Sequence, residues 1–288
     1  MKDFRTFVIA GAILTAMPFG LTSCGDDDDN DEPGAGSSNV EFKPTLHNFS
    51  RAGDAMFVNG DAISVWAMES IDYYPANLVP SRSIANNQKY TYQSGRFKGN
   101  IRKSDDQTLN YYAVYPYSSQ YSDHFNFSVK TDQSVEGNYL ASDLCVGRTD
   151  AVTSPLVDID FVHAMCKIVI NVDNSMGTVT SIELPNVRQS VTIDLNDYTA
   201  TSYGSTTTIK MAPNGSNSFK AIFANMTVAA GTQMAIIHSS KGDFVWSIES
   251  ATEFDNSTEY TFNLSKSDDS GSNEDVDFSL VILPWDEV

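Results

Sequence analysis

The side chains that could act as nucleophiles, bases or metal ligands are scattered along this sequence. Its four histidines, His47, His124, His163 and His238, have no cysteine, aspartate or second histidine at metal-ligand spacing. His163 sits in an apolar seam between Phe161 and Met165, where a hydrogen-bonded structural histidine is the expectation rather than a ligand or base. There is no Gly-x-Ser-x-Gly elbow, no His-Glu-x-x-His pair and no glycine-rich phosphate loop. The acidic run Asp268, Asp269, Glu274 and Asp275 departs from the known calcium loop, which needs a fixed glycine and a terminal bidentate glutamate, so it reads as a tether. Tyr111, Tyr112, Tyr115, Tyr117 and Tyr121 could form a sugar-stacking face, although strand packing explains Tyr111 to Tyr115 as well. The expectation is therefore a protein that is not an enzyme, with no cofactor and no metal site.

One thiol is placed for covalent chemistry. Lys2 and Arg5 precede an apolar run from Phe7 to Phe19, too short for a comfortable membrane span, and Leu21-Thr22-Ser23-Cys24 has the pattern of a bacterial lipobox. Residues 1–23 then form a signal peptide, and acylated Cys24 begins the mature chain. Each buried methylene of the acyl chains adds about 0.8 kcal/mol of membrane affinity, which makes a multiply acylated cysteine a firm anchor. The acidic block Asp26 to Asp29, Asp31 and Glu32 looks like an export tag for the outer face of the outer membrane, so the expected location is the cell surface. Cys145 and Cys166 lie inside apolar strand patterns and read as two buried thiols rather than a disulfide.

The elements that would position these groups are strands. A length of 288 residues suits two domains of roughly 100–150 residues, and a net charge of −19 argues against nucleic acid or an anionic membrane surface as partner. Val157 to Val172 organises the chain: Val157, Ile159 and Phe161 alternate with polar neighbours, then Ile168, Val169 and Ile170 form an apolar run. Similar segments recur on both sides, and none has three turns of helical periodicity. Val40, Phe42, Pro44 and Leu46 alternate in a strand that Pro44 places at a sheet edge. The economical architecture is all-β: an acidic linker (24–38), an N-terminal β-sandwich (39–152), a C-terminal β-sandwich (153–265), and an acidic tether with a last strand (266–288).

Several motifs occur together and in order: the lipobox ending at Cys24, Ser50-Arg51-Ala52, Asn59-Gly60-Asp61-Ala62-Ile63-Ser64-Val65, Tyr112-Ala113-Val114-Tyr115-Pro116-Tyr117, Ser142-Asp143-Leu144, and Phe161-Val162-His163-Ala164-Met165-Cys166-Lys167-Ile168. With these the chain resembles the fimbrillin-like pilins, subunits of type V pili. The resemblance implies two transthyretin-like β-sandwich domains, lipoprotein export, other pilin subunits as partners, and a trypsin-like processing protease. Its cut would fall between Arg51 and Ala52, unless Arg51 is an ordinary loop arginine. Cutting there would remove the Val40 to Leu46 strand. Val276, Phe278, Leu280 and Ile282 repeat the spacing of Val40, Phe42, Pro44 and Leu46, so the C-terminal segment could be the donor that refills the vacated groove. It could equally pair as the last strand of its own domain. A different function also stays open: a monomeric surface lipoprotein or tip adhesin that binds glycan or host protein through aromatics such as Tyr73, Tyr74, Tyr117 and Tyr121.

Overall fold

The computed structural model describes residues 36–46, 57–70, 77–135, 137–266 and 276–285. The Val157 to Val172 stretch folds as read. Leu156–His163 buries alternate residues, while Cys166–Val172 is buried on both faces.

Seven strands form a closed barrel: β1 (Ser37–Leu46), β2 (Ala62–Glu69), β3 (Ala85–Gln93), β4 (Arg96–Ser104), β5 (Leu109–Tyr115), and, after β6 (His124–Ser128), β7 (Cys145–Val152) and β8 (Leu156–His163). The order around it is β1-β4-β3-β2-β5-β7-β8, and β8 returns to β1 through a parallel ladder. Phe42, Tyr90, Tyr111 and Phe161 fill its interior. Gly99 is required in β4 because a Cβ there would sit 2.5 Å from the Tyr90 ring, whose hydroxyl accepts the Ile101 N–H at 3.1 Å.

The remaining strands are β9 (Cys166–Val172), β10 (Val179–Asp194), β11 (Thr199–Lys210), β12 (Ala212–Gly215), β13 (Ser218–Phe223), β14 (Met226–Val228), β15 (Gln233–Ser239), β16 (Gly242–Ser247), β17 (Thr252–Phe254), β18 (Thr258–Lys266) and β19 (Val276–Pro284). One sheet runs β11-β10-β15-β16, with β6 also on β10; the other runs β12-β13-β9-β18-β19; and β14 pairs with β17. The two five-stranded sheets share one core, in which Trp246 of β16 meets Phe262 of β18 at 4.5 Å between ring centroids.

Three sequence expectations need correction. The N-terminal half is a barrel rather than a sandwich, since β8 pairs back onto β1 and closes the strand order. The division expected between 152 and 153 falls inside that barrel: β7 continues through Thr149 to Val152 on β5 and then pairs with β8. Segment 124–133 crosses the other way. β6 pairs with β10, and the buried Gln133 side chain accepts from Ile222 N–H (2.9 Å) and donates to Ile222 O (2.6 Å). The physical reason is that β2 and β5 are apolar on both faces. Ile63, Val65 and Tyr111 point into the barrel, whereas Trp66, Tyr112 and Val114 pack into the core of the sandwich.

The third correction concerns β1, which is no simple edge strand: β4 pairs with it from Ser37 to Phe42 and β8 from Glu41 to Leu46, so both sides are covered at Glu41 and Phe42. Pairing to β4 stops at Phe42↔Phe97. Glu41 N–H donates to Pro155 O, toward β8, so two-residue alternation turns position 44 to the side that β4 no longer covers. Pro44 therefore costs no ladder bond.

Candidate assembly site

β1 is held by a buried inner face and a charged outer one. Val40 and Phe42 are fully buried and Pro44 half-buried, which is the alternation expected of them. The Phe42 ring meets Tyr90 and Tyr111 edge-on, each at 5.1 Å. Burying Val40 and Phe42 contributes about 1.5–3 kcal/mol each. On the outside, the Glu41 carboxylate accepts from Arg96 at 3.0 Å and lies 3.4 Å from Lys98. The Arg96 hydrogen bond, helped by the charge of Lys98, holds the Glu41 carboxyl below its ordinary range. Lys43 lies 3.8 Å from Asp158 of β8. Leu46 continues the backbone register opposite Phe161. Arg51 and Ala52 lie outside the described residues, as do Cys24, Tyr73 and Tyr74. The chain resumes at Phe57, whose ring packs among Phe97 (4.8 Å), Tyr115 (5.1 Å), Phe161 (5.4 Å) and Tyr92 (5.9 Å). This cluster ties Phe57 to the barrel independently of β1.

β19 lies at the far edge of the β12-β13-β9-β18-β19 sheet. Its whole length registers on β18, from Thr258↔Pro284 to Lys266↔Val276. Val276, Phe278 and Leu280 are half-buried against the sandwich core, and the Phe278 ring lies 5.7 Å from Trp246 and 6.0 Å from Phe262. The expected one-sided face loses its cover at the fourth member. Ile282 stands opposite Tyr260, but the Tyr260 ring packs on Phe254 at 4.7 Å, and Ile282 is 54% exposed.

Burial passes instead to Trp285, whose indole lies parallel to the His163 ring at 4.0 Å. Trp285 N–H donates to Ser257 O at 2.9 Å, and the Ser257 hydroxyl donates to His163 O. Lys167 approaches the indole at 5.7 Å and pairs with buried Glu259 at 2.8 Å. The end of β19 is thus fixed to the junction of β8 and β9.

Beneath this stack, His163 is buried as expected, and its Nδ1 lies 2.6 Å from Asp143 Oδ1 and 3.4 Å from Cys145 Sγ. Cys145 and Cys166 are separate buried thiols. A nucleophile–base–orienter relay uses the two ring nitrogens for two partners, whereas here one nitrogen faces both the thiol and the carboxylate. Sequence spacing missed this grouping because a strand pairing makes it. Cys145 stands directly opposite His163 across β7 and β8, and Asp143 lies two residues before Cys145. An Asp-x-Cys entering one strand and a histidine ending the next was the signal available.

A family model described as fimbrillin-like matches residues 50–285. The chain belongs to that family. Among solved structures, this fimbrillin-like chain resembles a candidate cell adhesion protein from Bacteroides uniformis ATCC 8492, with a TM-score of 0.65 and 19% identity over 86% of this chain and 99% of that one. A candidate cell adhesion protein from Bacteroides ovatus ATCC 8483 gives a TM-score of 0.65 and 14% identity over 87% and 98%. A fimbrial protein from Bacteroides vulgatus ATCC 8482 gives 0.50 and 14% over 86% and 100%. At such identities the likeness is one of fold. No curated protein matches the chain.

Proposed function

We propose that this fimbrillin-like chain is a non-enzymatic structural pilin subunit. It is exported as a lipoprotein through Cys24, cut after Arg51, and polymerised on the outer membrane surface by strand exchange that supports adhesion. The observation that carries this reading is the placement of β1. It is the one described barrel strand on the N-terminal side of Arg51, and its departure would uncover a groove lined by the partners of Val40 and Phe42 and expose the edges of β4 and β8. A strand with Val, Phe and Leu at alternate positions could refill that groove from a neighbouring subunit, with main-chain hydrogen bonds on both sides. β19 has that pattern, lies at a sheet edge, and buries its apolar side chains only partly in its own subunit. The two-sandwich transthyretin-like description of such pilins applies here only in broad outline, since the β1-containing half closes into a barrel.

The test is Arg51→Ala in cells. The expected result is accumulation of uncut precursor and loss of SDS-resistant ladders; ladders of normal length would contradict the reading. A second reading, a tip or monomeric adhesin, is favoured by the complete ladder of β19 on β18, because a strand committed to its own domain donates to no neighbour. Under that reading the surface form is a monomer whose C-terminal strand stays protected from hydrogen exchange.

A further inference from the structure

We propose that Asp143, Cys145 and His163 form a zinc site at the seam where β7 meets β8. Three chemically different donors converge there: a carboxylate, a thiol and an imidazole, whose ligand atoms all lie within 4.8 Å of one another. Cross-strand pairing fixes two of them and the Asp-x-Cys spacing brings the third to the same face. A tetrahedral zinc ion with ligand bonds near 2.0–2.3 Å holds its donors roughly 3.3–3.6 Å apart. The Cys145 Sγ to His163 Nδ1 separation of 3.4 Å already fits, and Sγ to Asp143 Oδ1, at 3.7 Å, nearly so. Only the 2.6 Å edge between Nδ1 and Oδ1 is too short, because a hydrogen bond occupies it.

Metal entry replaces that hydrogen bond. With a neutral ring, the imidazole proton moves to Nε2, the thiol proton leaves to solvent, and one proton is released for each zinc bound. The thiolate and imidazole select zinc over calcium or magnesium, which prefer all-oxygen shells. Cys145 and His163 are buried, while the Asp143 side chain keeps 16% exposure, so solvent and an incoming ion reach the cluster from the Asp143 side. Bound zinc would fix the ring on which Trp285 stacks and so join the barrel seam to the end of β19.

The test uses the full chain without a histidine tag, stripped of metal and titrated with Zn²⁺ alone against a chromogenic chelator. Cobalt substitution provides a spectroscopic signature. One tightly held zinc per chain is expected, with a thiolate-to-cobalt charge-transfer band. Removing only the hydrogen-bond partners that orient metal ligands costs about 10–100-fold in metal affinity, so loss of the ligand itself in Cys145→Ser should weaken binding by at least about 100-fold. Cys166→Ser, outside the cluster, should bind as the parent does. The acidic segments could hold zinc loosely, but such binding would survive Cys145→Ser and give no thiolate band. Either of those results, or no retained zinc, would overturn the proposal. If Cys145→Ser does not fold, the cobalt spectrum of the parent chain decides alone.

Discussion

Phe42→Ala separates a strand that is discarded from one that is kept. Phe42 is fully buried in the barrel and touches Tyr90 and Tyr111 edge-on at 5.1 Å. Removing a buried Phe side chain costs about 3–5 kcal/mol, the lost transfer energy plus the cavity left behind. For a chain of this size each kcal/mol lowers the melting temperature by about 2–4 °C, so a precursor kept uncut by Arg51→Ala should melt about 6–20 °C lower when Phe42→Ala is added. Under the proposed processing the mature subunit lacks β1. With Arg51 intact, polymers from the Phe42→Ala chain should therefore resist SDS and heat as the parent polymers do. Thermal unfolding of the two precursors, followed by near-ultraviolet circular dichroism, and gel ladders of the two polymers read both halves. Equal losses in precursor and polymer would show that β1 stays in the mature subunit. No loss in the precursor would show that β1 does not close the barrel.

The other predictions probe the C-terminal half and the charge network. Phe278→Ala removes a half-buried ring from β19 and should cost the monomer about 1–2 kcal/mol in denaturant unfolding while abolishing SDS-resistant ladders, since in the proposed strand exchange the ring would fill a neighbour's groove; intact ladders would contradict this. Trp285→Ala deletes the stack on His163 and should cost about 3–5 kcal/mol, with hydrogen-exchange protection lost first across Val276–Pro284; unchanged protection there would refute the stack as the fastening of β19. His124 is raised above its usual 6.5 by hydrogen bonding to Asp123 and by the charge of Asp194, 2.8 Å away. Because the folded state favours the charged ring, its stabilisation is complete below about 6.5 and lost as pH rises through the higher folded value. Denaturation midpoints in parent and His124→Gln chains should converge above that value, and parallel pH curves would contradict the assignment.

Strand type was legible wherever the two sides of a strand differ, or where both are apolar. Leu109–Tyr115 carries apolar residues at nearly every position and is a strand, and Val157, Ile159 and Phe161 fill the barrel as their alternation implies. β4 was not legible, because Arg96-Phe97-Lys98-Gly99-Asn100 has a glycine where the Tyr90 ring needs space and long polar side chains on the outside. Pro185 breaks the apolar pattern in the middle of β10, yet the chain passes the proline in a register irregularity between Leu184 and Val187 and continues in the same sheet. The domain division was misplaced because hydrophobicity on both faces of β2 and β5 signals burial without saying which core lies on which side. In the assembly site, the spacing of Val40, Phe42 and Pro44 revealed the face of β1, and Val276, Phe278 and Leu280 that of β19. Parallel closure of β1 on β8 and the stack of Trp285 on His163 depend on residues more than 100 positions apart, which no local pattern encodes.

Departure of β1 is read directly from the N-terminal sequence of the chain purified from cell-surface polymers. Ala52 is expected as the first residue, with no peptide containing Val40 to Leu46 in the polymer. A chain that begins at acylated Cys24 and still carries that strand within SDS-resistant polymers would contradict it.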